Sequence, residues 1–170
     1  MAGEVRPLMG ISMNARFAVG FFVLIAVATP SQAQKPDERT WRLRTEAGQS
    51  VLTYGTDNAE DTPIMFSCKA GRGVVDVFIS ETGHGVKPGR SMSASLAASG
   101  VASMVRGRTL PNEEAGVPSF QGSLAASDPL FTALGQAKLL VMKVAPSRQQ
   151  VPLQKIGDKA EKFKSLCRKR

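Results

Sequence analysis

Two cysteines, one histidine and a few closely spaced carboxylates are the residues in this chain with chemical potential. His84, the lone histidine, sits between glycines in ETGHGVKPG. A Ser-His-Asp triad would have to use it, yet neither G-x-S-x-G nor S-x-x-K occurs to supply the serine. The alternative for a small enzyme is His84 working with Asp76 or Glu81 as general acid and base. Asp57, Glu60 and Asp61 place three oxygen ligands in the loop GTDNAEDTP, but their spacing and the position of Gly55 differ from a calcium loop. Zinc needs three or four clustered ligands, and one histidine with two distant cysteines does not provide them, so no metal or cofactor is expected. Gly71-x-Gly73 lacks the rest of a phosphate-cradling motif. No catalytic set is assigned.

The cysteines take their meaning from the N-terminus. From Met13 the chain reads MNARFAVGFFVLIAVATPSQAQ. Arg16 gives a positive start, Phe17 to Thr29 an apolar run, and Ser31 and Ala33 the small residues a signal peptidase reads, the pattern of a secretory signal peptide over residues 1–33. The run is shorter than the roughly 20 residues that span a bilayer, so no membrane-spanning segment is expected after cleavage. Met13 suits the signal better than Met1 as the start. Cleavage near Ala33 leaves a loose polar leader, residues 34–40, and one domain, residues 41–170. Two cysteines in an exported chain most simply form one bridge. Cys68 and Cys167 lack C-x-x-C spacing, which argues against redox work. Closing a loop of about 100 residues is worth up to about 4.7 kcal/mol in the chain-entropy treatment.

The elements that must position these residues are mostly strands. Trp41–Glu46, Ser50–Tyr54, Ile64–Cys68, Val74–Ser80, Phe120–Ala125 and Lys138–Val144 carry the alternation or short apolar runs of β-structure. Ala70–Gly73 is a hairpin loop. Ser91–Ala98 and Val101–Val105 flank Ser99-Gly100 as a further hairpin, although their Ser/Ala richness also suits a helix. Arg108–Pro118 is expected to be a loop, Pro146–Gln150 a turn, and Val151–Gln154 an edge segment. Phe78 shares a strand face with Asp76, which suggests a sheet covered on both sides. Asp128–Leu134 is a short helix, with Ser127 or Asp128 as cap and Pro129 in its first turn. Ile156, Ala160, Phe163 and Cys167 line one face of a terminal helix. Cys167 on that buried stripe reaches a strand cysteine beneath it, so export and periodicity converge on one bridge. The fold expected is mainly β, an antiparallel sandwich or barrel-like domain with one short helix and a C-terminal amphipathic helix.

The chain carries 22 Lys and Arg against 14 Asp and Glu. Residues 155–170 hold seven basic and two acidic groups, so the excess looks local to the final helix. Lys159, Lys162, Lys164, Lys169 and Arg170 are the expected surface for an anionic partner such as a membrane surface, a glycan or an acidic protein face. Dipole-favoured lysines on a solvated helix face account for the same charges. Export and scarce stacking aromatics argue against nucleic acid.

A short strand with Cys68, an apolar strand, then LLVMKV, VPL and a helix ending in FKSLC form an arrangement that resembles small secreted β-sandwich proteins of Gram-negative bacteria. The invasion-associated protein B family is similar in the last third, and the TagO/VasI-like accessory proteins of type VI secretion in the placing of the two cysteines. The likeness spans residues 63–80 and 128–167. It implies a periplasmic accessory or host-interaction protein and carries no catalytic residues with it. The functional expectation is an exported, periplasmic or secreted, non-enzymatic binding or accessory domain with an envelope or host protein partner. The alternatives are the His84 enzyme and a purely structural envelope factor.

Overall fold

In the computed structural model, residues 39–56 and 61–168 are described. The signal segment, most of the leader, residues 57–60, and Lys169 and Arg170 lie outside them. Thr40, assigned to the leader, opens the first strand.

Nine strands form one antiparallel sheet: β1 (Thr40–Glu46), β2 (Gln49–Gly55), β3 (Ile64–Lys69), β4 (Val74–Ile79), β5 (Ser91–Ala98), β6 (Val101–Leu110), β7 (Ser119–Ala125), β8 (Leu139–Val144) and β9 (Ser147–Pro152). Their order is β1-β2-β3-β4-β7-β6-β5-β8-β9. The expected mainly β antiparallel domain is therefore present, as a single curled sheet instead of two stacked ones. Helices α1 (Leu130–Leu134) and α2 (Gly157–Cys167) accompany it.

Curling makes the two faces unequal. Alternation puts Leu52, Ile64, Phe66, Val75, Val77, Leu96, Val105, Phe120, Leu140 and Met142 on the inner face, each essentially without solvent exposure. Both helices lie against that side. Phe66 meets Phe131 of α1 edge-on at 5.6 Å, and Phe131 meets Phe163 of α2 at 6.0 Å. An aromatic chain thus runs from sheet through both helices, each ring pair adding about 0.5–1.5 kcal/mol beyond area burial. Trp41 begins this chain beside Tyr54 and Phe66. Its Nε1 donates to Pro152 O at 2.8 Å, tying the first strand in the sheet order to the last.

The curl needs glycine at one place. Gly107 and Gly122 face each other across β6 and β7. A Cβ on Gly107 would stand 2.0 Å from Gln121 O, and one on Gly122 2.6 Å from Arg106 O. The two backbones approach where the sheet bends inward, and only side chains of hydrogen fit.

Two local expectations about the strands change. β6 runs on through Arg108, Thr109 and Leu110, because the loop from Lys87 to Arg90 bonds back to Thr109. The turn after β8 shrinks to Ala145-Pro146, and Ser147–Gln150 pair with β8 as part of β9. The Ser/Ala-rich segment is a strand hairpin; Ala94, Leu96 and Ala98 face inward, where small residues leave room for α1. α1 begins at Leu130 with Pro129 at its N-cap, later than the expected start at Asp128, while Asp128 Oδ1 accepts from Leu130 N at 2.9 Å and from Ser103 Oγ. Among the described residues, no buried side-chain nitrogen or oxygen lacks a partner.

Candidate functional site

The bridge is where the sequence places it. Cys68 on β3 and Cys167 at the end of α2 are joined, with Cα atoms 5.7 Å apart, and both are buried. Cys167 O also accepts from Gly73 N at 3.0 Å, and Gly73 O from Ala126 N at 2.9 Å. The helix end is therefore pinned to the β3–β4 turn by a covalent bond and a hydrogen bond together. Buried this way, the pair is a staple.

His84 is exposed in the loop after β4 and hydrogen-bonds to no carboxylate among the described residues. Asp76 lies on the outer face of the sheet between Ser67 and Ser123. Glu81 lines a polar depression at one end of the sheet with Asn112 and Glu114. There Asn112 Nδ2 donates to Ser80 O, Gln149 Nε2 donates to Glu81 O, and Arg39 pairs with Asp61 at 2.9 Å. His84 is not part of that depression, so the structure does not gather the histidine and its two candidate carboxylates into one cleft. Asp57 and Glu60 lie outside the described residues, and among those described no cluster of three potential ligands could hold a metal ion.

The lysines of α2 divide. Lys162 stands exposed beside a small depression shared with Asp158 and Leu43. Lys159 Nζ turns back onto Lys155 O at 2.8 Å. Lys164 points inward: its side chain is 14% exposed and donates to Thr132 Oγ1 of α1, with Glu161 at 3.9 Å. It joins two helices and is not offered to a partner. Lys169 and Arg170 lie outside the described residues. The expected surface thus reduces to Lys159 and Lys162 where it is described.

The charge excess is not confined to α2. The outer sheet face presents Arg42, Arg44, Lys69, Arg106, Arg108, Lys143 and Arg148 against Glu46 and Asp76. The linear count hides this, because residues 34–154 are nearly balanced; the acids sit mainly in loops and the bases on strands. Between these bases lies an apolar depression of about 640 Å3. Val51, Met65 and Phe78 form its floor, and Arg42, Arg44 and Glu46 its rim. Arg42 is held in place by donating to Gly55 O and Thr56 O, both at 2.6 Å. Phe78 was the available signal: an aromatic on the Asp76 face of β4. It suggests a covering layer, but neither helix lies there, and Phe78 is left half-exposed.

Fold and surface define the class: a single-sheet curled β-domain, filled on its inner side, stapled at its C-terminal helix, and basic with an apolar centre on its outer side. No protein-family model, curated protein or solved structure matches this chain. No described helix is long and apolar enough to cross a membrane.

Proposed function

We propose that this chain is an exported, non-enzymatic binding or accessory domain that acts in the periplasm or after secretion through an envelope or host protein partner. The observation that carries the reading is the outer sheet face, where half-exposed Met65, Phe78 and Val51 lie in a depression rimmed by arginines. Protein interfaces favour this mixture of aromatic, Met and Arg. A buried disulfide suits an oxidising compartment, and the N-terminal segment suits export. The likeness to secreted accessory proteins points the same way.

Two measurements test it. N-terminal sequencing of the protein recovered outside the cytoplasm should begin at Gln34; recovery only from the cytoplasm, uncleaved, sinks the export reading. A photoreactive residue placed at Thr53, on the outer face, should give a discrete protein adduct in living cells, whereas one at Glu81 should not. An absence of adducts from Thr53, Lys162 and Glu81 alike removes the binding reading and makes His84→Ala the next variant to assay.

A further inference from the structure

The strand registers arrange the outer face into rows. One row runs Arg42, Thr53, Met65, Phe78, Gln121, Arg108 across six strands. The next runs Arg44, Val51, Ser67, Asp76, Ser123, Arg106. Over these six strands each row is bounded by arginines, with β5 continuing it through Ser91 and Ser93, and Met65 and Phe78 occupy the middle of the first. Five strand spacings separate the arginine pairs, roughly 24 Å along the sheet. Arg44, Arg106 and Arg108 make no ion pair with any described residue.

We propose that this face binds a protein segment carrying an apolar side chain between two groups of carboxylates. The proposal rests on the binding-domain reading above and names its partner's chemistry. Charge complementarity fixes the ends, because Arg44 at one end and Arg108 with Arg106 at the other each suit a carboxylate. The middle discriminates between anionic partners. A polyanion such as a phosphate polymer would lay charge over Met65 and Phe78 and beside Asp76, gaining nothing from the apolar floor. An anionic bilayer needs apolar side chains that protrude, and these lie in a depression below Arg44 and Glu46. An extended segment of about seven residues covers the span at about 3.3 Å per residue, with its apolar residue three or four positions from each acid.

The experiment selects random twelve-residue peptides, displayed on phage, on the immobilised full chain, then uses the enriched peptides as synthetic probes. The expected peptides carry an apolar residue flanked on both sides by Asp or Glu. Their affinity should fall about tenfold in Arg44→Glu/Arg106→Glu and in Phe78→Ser, stay unchanged in Lys159→Glu/Lys162→Glu, and weaken with salt as exposed charge pairs do. Phe78→Leu should retain binding, which separates lost contact from lost folding. Enriched peptides without acids, or binding indifferent to the outer-face variants, overturn the proposal while leaving a binding domain that uses another surface. Phosphatidylglycerol vesicles or polyphosphate binding this face more tightly than any peptide also overturn it, in favour of an anionic surface. No enriched peptide overturns it too; combined with no cross-link from any of the three positions, that outcome removes the binding reading as well.

Discussion

The two faces of the sheet use the same alternation and arrive at opposite ends. On the inner face most alternate residues are apolar and buried, and Phe66, Phe131 and Phe163 continue the contact through two helices. On the outer face the intervening residues are largely polar or charged; Val51, Met65 and Phe78 form one apolar interruption, and Val74, Met104 and Leu139 are exposed singly elsewhere on that face. The inner face shows what apolar residues do when the chain itself supplies their cover. Val51, Met65 and Phe78 are only partly covered by this chain, and apolar side chains grouped on a surface and rimmed by polar ones are a usual mark of a contact site.

If the inner face holds the fold and the outer face serves a partner, substitutions should separate stability from binding. The largest effect is expected at Phe163→Ala, which removes the ring joining α2 to α1 at a site with no exposure. It should cost about 3–5 kcal/mol, read as a fall in the urea midpoint. Replacing both cysteines, Cys68→Ala with Cys167→Ala, should cost about 2–5 kcal/mol, since α2 then keeps only its packing, the Gly73 hydrogen bond and the bond from Lys164 to Thr132. A double variant as stable as the parent would show that the packing of α2 alone closes the fold. Gly122→Ala should lose about 1–3 kcal/mol, because its Cβ would meet Arg106 O and Val105 Cγ1 inside ordinary contact distance. A neutral result there would mean that β6 and β7 separate freely and that the curl does not depend on the glycine pair. Asp128→Ala removes the acceptor for both Leu130 N and Ser103 Oγ. It should cost roughly 1–2 kcal/mol, measurable as a drop in Tm.

The inner face was legible because alternation in β-strands and the i, i+4, i+7, i+11 stripe of α2 are local patterns. Together they predict the Cys68–Cys167 bridge without any knowledge of how the sheet closes. Strand order was not legible. β4 pairs with β7, and β5 with β8, and nothing in the residues between them states which neighbour each strand will take. The outer site was illegible for the same reason. Arg42 and Arg108 are far apart in sequence, and only the register places them in one row with Phe78 between them. Charge counted along the chain pointed to α2, but Lys164 turned inward to Thr132 because the Phe163 stripe sets the rotation of the helix and brings position 164 against α1.

The smallest expected stability effect is the sharpest test of the contrast. Phe78 and Phe163 are the same residue type, one on each side of the molecule. Phe78→Ala removes a half-exposed ring lying on strands that Val77 and Ile79 hold from the inner side. A surface change away from buried groups moves stability by about 0.5 kcal/mol or less, so its urea midpoint should match the parent within error, several-fold less than the shift at Phe163. Its binding to an acid-flanked apolar peptide should still fall about tenfold, since a centrally placed aromatic carries much of such an interface. A large loss of stability at Phe78 would mean that Met65 and Phe78 form a second small core, that the outer face is structural, and that the two faces differ in degree instead of in role.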